Sequence, residues 1–200
     1  MDKSVEFYFD FGSPAAYLAY TQLPHVCADT GAKLVWKPML LGGVFQATGN
    51  HSPTDIAPKG RYMNADLKRF AERYGVPYRF NSFFPINTLM LMRGATGLQM
   101  RDPERLEAYI AAMFDAMWVE PKNMNDPEVV GAVLAQAGFD AQAVLALAND
   151  PAVKAQLKAC TQEAVGRGVF GAPTVFVGQT MFWGQDRLDF VREALIQPAH

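Results

Sequence analysis

Between Val5 and Ala19 the chain passes from a strand pattern to a helix pattern within a few residues, and this narrows what the rest can build. Val5-Glu-Phe-Tyr-Phe9 reads as a buried strand. Asp10-Phe11-Gly12 ends it, and Ser13-Pro14 opens a helical run of Ala, Tyr and Leu. Ser13 stands where an N-cap belongs, and Pro14 where the first helical residue belongs. A hydroxyl there caps the helix. It also lies where free N–H groups and the helix dipole converge, which suits an anion. On this stretch alone both roles stay open.

The remaining chain divides into three parts. The first helix is expected to run toward Thr30-Gly31, with Pro24 kinking it or ending it early, because proline cannot donate to Tyr20. Ala32 to Lys37 reads as a second strand closed by Pro38, giving a β-α-β unit with parallel strands. Leu40-Leu-Gly-Gly-Val-Phe45 and a polar loop at Gly49–Thr54 then lead into a helical block. Helices are predicted over Pro58–Tyr74, over Asn87–Leu98, and along the face Leu106, Ile110, Met113, Phe114 and Met117. Asp-Pro pairs at Asp102, Asp126 and Asp150 predict N-caps, and Gly138 and Gly168 predict stops. The last part returns to β, with Thr174–Val177, a Gly178-Gln179 turn and Thr180–Trp183. A final helix starts from Gly184-Gln-Asp-Arg, with Leu188, Val191 and Leu195 facing inward.

Composition excludes several functions. The 200 residues are half hydrophobic with a net charge of −2, and no basic block recruits nucleic acid or an anionic membrane. No apolar run is long enough to span a bilayer, and Met1-Asp-Lys-Ser lacks the features of a signal peptide. A cytoplasmic protein is expected. Cys27 and Cys160 form no Cys-x-x-Cys pair and are expected to be buried, inert thiols. His25, His51 and His200 have no metal-ligand spacing, so no metal site is expected.

A β-α-β half and a β-β-α half, with Ala172-Pro173 just before the third strand, resemble the thioredoxin fold. Ser13-Pro14-Ala15-Ala16 stands where that fold carries Cys-x-x-Cys, and the helical block resembles the insertion of the disulfide-oxidoreductase A family. The similarity extends to the kappa-class glutathione transferases and their bacterial relatives, the 2-hydroxychromene-2-carboxylate isomerases. It is carried by Phe9-Asp-Phe-Gly-Ser-Pro14, Leu40-Leu-Gly-Gly43, Gly49-Asn50, Lys59-Gly-Arg-Tyr62, Phe84-Pro-Ile-Asn-Thr88, Phe170-Gly-Ala-Pro-Thr174 and Phe182-Trp-Gly-Gln-Asp-Arg187. The resemblance implies an α/β thioredoxin-like domain formed by 1–44 and 168–200, with a helical insertion at 45–167.

Without cysteines this motif cannot exchange disulfides. No His or Lys near Ser13 in sequence looks like a base for it, but its hydroxyl can donate a hydrogen bond to a thiolate brought in from outside. The resemblance names that thiol as glutathione. It implies a cofactor site from Ser13, Pro14 and Ala15, from Ala172 and Pro173 at a cis bond, from Gln185, Asp186 and Arg187, and from Asn50 and Lys59. Ser13 is the expected catalytic residue. Ala172 and Pro173 would pair with the cysteinyl backbone, and Asp186 with the γ-glutamyl ammonium. Asp186 as a helix cap, Asn50 as a turn residue, Pro173 as an ordinary edge-strand proline, and Lys59 and Arg93 as plain surface charges remain open. Phe84, Asn87 and Arg93 are expected at the aromatic substrate, and Lys59 and Arg93 are candidates for binding carboxylates. Met39, Phe83, Phe84 and Leu89-Met-Leu-Met92 suit either an aromatic pocket or a core.

The implied reaction interconverts 2-hydroxychromene-2-carboxylate and trans-o-hydroxybenzylidenepyruvate in naphthalene-type degradation. Reversible thiolate addition would let a double bond rotate, and a homodimer is implied. The alternatives are a kappa-like transferase that releases its conjugate, and a redox-inactive thioredoxin-fold module that binds peptides.

Overall fold

The computed structural model describes residues 3–196, so the readings placed on Met1 and His200 fall outside the described residues. The first unit is β1 (Ser4–Phe9), α1 (Pro14–Thr30) and β2 (Lys33–Pro38). Seven helices follow among the described residues: α2 (Leu41–Thr48), α3 (Ala57–Tyr74), α4 (Leu89–Arg101), α5 (Leu106–Trp118), α6 (Pro127–Gln136), α7 (Ala141–Asn149) and α8 (Pro151–Gly166). The chain closes with β3 (Thr174–Val177), β4 (Thr180–Trp183) and α9 (Leu188–Ile196).

The strands form one sheet in the order β2-β1-β3-β4. β1 runs parallel to β2, pairing Phe7 with Trp36, and antiparallel to β3, pairing Phe7 with Val175. β4 returns antiparallel on β3, with Thr174 opposite Trp183. The parallel β-α-β unit and the closing β-β-α unit are therefore both present.

β1 is central and buried on both faces, and its alternation assigns each side chain to one of them. Val5, Phe7 and Phe9 enter the main core with Trp36, Phe114 and the apolar face of α1. Tyr8 points the other way, into a smaller cluster with Met39, Val44, Cys160, Ala164 and Phe176. There its hydroxyl donates to Glu163 Oε1 at 2.7 Å, beside Lys37 and Arg167.

Several local expectations are corrected. α1 does not end at Pro24 but continues to Thr30, where Gly31 adopts the left-handed conformation. Leu41–Thr48 is a helix despite two internal glycines. Tertiary bonds hold its start, with Leu40 N–H donating to Thr161 Oγ1 at 3.0 Å and Leu41 N–H to Asp10 Oδ2 at 2.8 Å. Asp126 and Asp150 cap their helices, accepting at 2.9 and 2.8 Å, but Asp102 makes no side-chain cap bond. A 3-10 turn at Pro103–Arg105 separates it from α5. No Asp-Pro signal announces α7, which Asp140 caps through Gln142 N–H at 2.9 Å.

Candidate active site

Ser13 is only 5 % exposed and sits between the two halves of the fold. Its Oγ accepts from Ala16 N–H at 3.1 Å, as an N-cap should. The same hydroxyl donates to Ala172 O at 2.9 Å. One side chain thus caps α1 and ties it to the segment before β3. Among the described residues, Ala15 N–H finds no acceptor, so the start of α1 keeps a free donor beside Ser13.

The turn carrying Ser13 is held from below by Asp10, which is 1 % exposed. Asp10 Oδ1 accepts from Gly12 N–H at 2.8 Å and from Thr88 Oγ1 at 2.7 Å. Asp10 Oδ2 accepts from Leu41 N–H at 2.8 Å. One carboxyl therefore ties the turn to the starts of α2 and α4. Desolvation pushes its pKa up, against the lowering effect of these hydrogen bonds. A Cβ at Gly12 would stand 3.3 Å from Asp10 Oδ1, so the approach suits glycine. Trp118 adds a further anchor by donating its indole N–H to Phe11 O at 2.8 Å.

Opposite Ser13, the Ala172–Pro173 peptide is cis, as expected from the resemblance. Phe84–Pro85 is also cis. Pro173 O accepts from Gly184 N–H at 3.1 Å, which leads directly into the 3-10 turn Gln185–Arg187. Tyr74 OH pins that turn to α3 by donating to Gln185 O at 2.6 Å. Ser13, Ala172, Pro173 and the turn with Gln185, Asp186 and Arg187 are therefore linked by consecutive bonds. Pro14 is the first residue of α1, beside Ser13. Asp186 does not cap a helix; its carboxylate is ion-paired with Arg187 Nη1 at 2.6 Å. Phe170 and Trp183 pack at 5.1 Å between ring centroids, both partly exposed.

The other expected residues are less closely joined. Asn50 Nδ2 donates to Phe170 O at 2.8 Å, which places Asn50 at the edge of this group, while its Oδ1 accepts from His51 N–H. Lys59 is exposed in the first turn of α3, and no ion pair or hydrogen bond ties it to Ser13. Phe84 packs between Phe80 and Trp118, at 5.7 and 6.3 Å. Asn87, Leu89, Met90 and Leu91 line an apolar cavity of about 470 Å³ within the helical block, whereas Met39 and Met92 are fully buried. Arg93 lines a separate cavity between α2, α4 and α8. Neither cavity includes Ser13 or Pro173.

Sequence reasoning passes over Asp10, Thr88 and Trp118 as positioning residues. A lone carboxylate in an apolar strand end was the available signal for Asp10. The two thiols are free and buried, and burial pushes the Cys160 thiol up to about 11.

Comparison with known proteins matches residues 4–196 to the family of the DSBA-like thioredoxin domain. A 2-hydroxychromene-2-carboxylate isomerase from Sphingobium xenophagum is 33% identical, over 98% of this chain and all of its own length. Human glutathione S-transferase kappa 1 is 29% identical, over 98% of this chain and 92% of its own. Among solved structures, a 2-hydroxychromene-2-carboxylate isomerase superposes with a TM-score of 0.85 at 31% identity, covering 96% of this chain and 94% of its own.

Proposed function

The chain belongs to the 2-hydroxychromene-2-carboxylate isomerases within the DSBA-like thioredoxin domain family, and from that membership we propose a glutathione-dependent isomerase whose thiol site is built around Ser13. The activity is that of an isomerase. The observation that carries the thiol reading is the Ser13 hydroxyl, held at a helix start against Ala172 O at 2.9 Å where the fold has no cysteine to offer.

The residues present fit glutathione. Ala172 O beside a cis proline offers an acceptor for a peptide N–H. Gln185 and Asp186 have backbone N–H groups without acceptors among the described residues, which suits a carboxylate. The Asp186 carboxylate suits an ammonium, which would share it with Arg187. Asn50 and Lys59 are proposed at the glycyl end. When bound, glutathione supplies a thiolate nucleophile, whose reversible addition allows rotation about an otherwise rigid double bond.

The exchange at Ser13 follows from its present bonds. Its single proton is committed to Ala172 O, so it can serve a thiolate only if that carbonyl accepts from another donor. The cysteinyl N–H of glutathione is that donor. Ser13 then turns its O–H to the sulfur while Oγ keeps Ala16 N–H as a partner. The Ala15 N–H and the helix dipole add to the same stabilisation, lowering the thiol from its free value of about 8.5. Phe84 and Asn87 remain proposed substrate contacts, whereas Arg93 lines a cavity that does not include Ser13. The expected homodimer and cytoplasmic setting belong to the same reading.

Two measurements test it. Mixing the protein with the chromene, with and without glutathione, should give isomer only when glutathione is present. Equal rates without it refute the cofactor, and accumulation of a stable thioether makes the protein a transferase. Titrating the ultraviolet thiolate band of the complex should give a lowered pKa. Ser13→Ala should raise it by about one unit or more, the worth of one charge-assisted hydrogen bond.

A further inference from the structure

A concentration of positive charge lies outside the thiol site. α2, α4 and α8 enclose an open cavity of about 570 Å³. Arg93, Lys154 and Lys158 line it, together with Leu40, Leu89 and Leu157. No carboxylate lines it, and none among the described residues forms an ion pair with any of the three cations. Among the described residues, the one side-chain polar contact of Arg93 is Nη1 to Met90 Sδ at 3.7 Å.

This placement works against folding. Lys154 and Lys158 stand one turn apart on α8, so their charges share a face and repel. Lys154 also closes the first turn of that helix, near the positive end of its dipole, which disfavours a cation. Arg93 adds a third charge from α4. Three like charges around a cavity raise its potential and concentrate anions there. The leucine walls add a requirement that a small inorganic ion does not meet, because burying them calls for an apolar body.

We propose that this cavity binds an organic anion carrying at least two carboxylates on an apolar frame. Such a ligand places its charges against Arg93 and the α8 lysines and its frame against Leu40, Leu89 and Leu157. A monoanion leaves most of the charge uncompensated. The site is separate from the thiol site, since neither Ser13, Pro173 nor Asp186 lines it.

Calorimetric titration of the full chain with isophthalate, using benzoate as the monoanionic control, tests the proposal. Isophthalate should bind at least about tenfold more tightly than benzoate, and added salt should weaken it. A double variant, Lys154→Ala with Lys158→Ala, should lose about tenfold or more in isophthalate affinity. It should melt no lower than the parent, because a like-charge pair has been removed. Saturating glutathione should leave isophthalate binding unchanged. No binding, equal affinity for the two acids, affinity unaltered in the double variant, or displacement by glutathione would each overturn the proposal.

Discussion

Replacing Asp10 by Asn tests how the Ser13 turn is held. Gly12 N–H and Leu41 N–H donate to different oxygens of the Asp10 carboxyl, each at 2.8 Å. Asn has one oxygen, so either orientation of the amide sets its NH2 against one of these backbone donors. Thr88 Oγ1 can reverse and accept from the amide; a backbone N–H cannot. With Asp10 only 1 % exposed, no water replaces the lost acceptor easily. An orphaned buried donor costs about 1–3 kcal/mol. Because Asp10 is buried, the expected destabilisation lies in the upper part of that range, about 2–3 kcal/mol. For a chain of this length that is roughly 5–10 °C in melting temperature. Urea unfolding followed by circular dichroism measures it, and turnover at saturating substrate shows whether the turn has moved. A variant within about 0.5 kcal/mol of the parent, the range of an ordinary surface change, would refute the clasp.

Further outcomes follow from the same structure. Desolvation raises the Asp10 pKa above its unfolded value, so its contribution to stability is full below the unfolded pKa and is lost as pH rises through the folded one. The stability advantage of the parent over Asp10→Asn should therefore be larger near about pH 4 than near about pH 8, and urea midpoints showing the reverse would contradict the shift. Gly94→Ala places a Cβ against the Tyr109 hydroxyl, which is buried and donates to Leu91 O at 2.9 Å. Overpacking of this kind costs about 1–3 kcal/mol, and an unchanged denaturation midpoint would show that the ring yields freely. Cys160, with its thiol pushed up to about 11 by burial, should resist alkylation at neutral pH until the protein unfolds. Mass spectrometry after iodoacetamide treatment reads this directly.

The strands and most helices were legible because their signals are local. Val5 to Phe9 shows its strand directly, and Gly75 and Gly168 mark their stops through positive φ. α2 was not legible, because Gly42 and Gly43 weaken any local helix preference. Its start is held by Asp10 and Thr161, from distant parts of the chain. The core of the candidate site was legible for a different reason: Ser13 and Ala172 each belong to a recognisable motif, and the fold brings them to 2.9 Å. Thr88 meets Asp10 across 78 positions, and no pattern near either residue signals that. Arg93 shows the opposite limit. Its charge was evident in the sequence, but the lysines that surround it come from another helix.

The Ser13 cap has a consequence for what this scaffold could become. Ser13 and Ala16 stand one helical turn apart, with Oγ and N joined at 3.1 Å, and Ala16 is wholly buried. Those two positions have the spacing of a redox dithiol, and the cis proline already faces them. Two substitutions, Ser13→Cys and Ala16→Cys, would therefore place sulfur at both of those positions without touching a side chain of the Asp10 clasp, which is made by Gly12, Thr88 and Leu41.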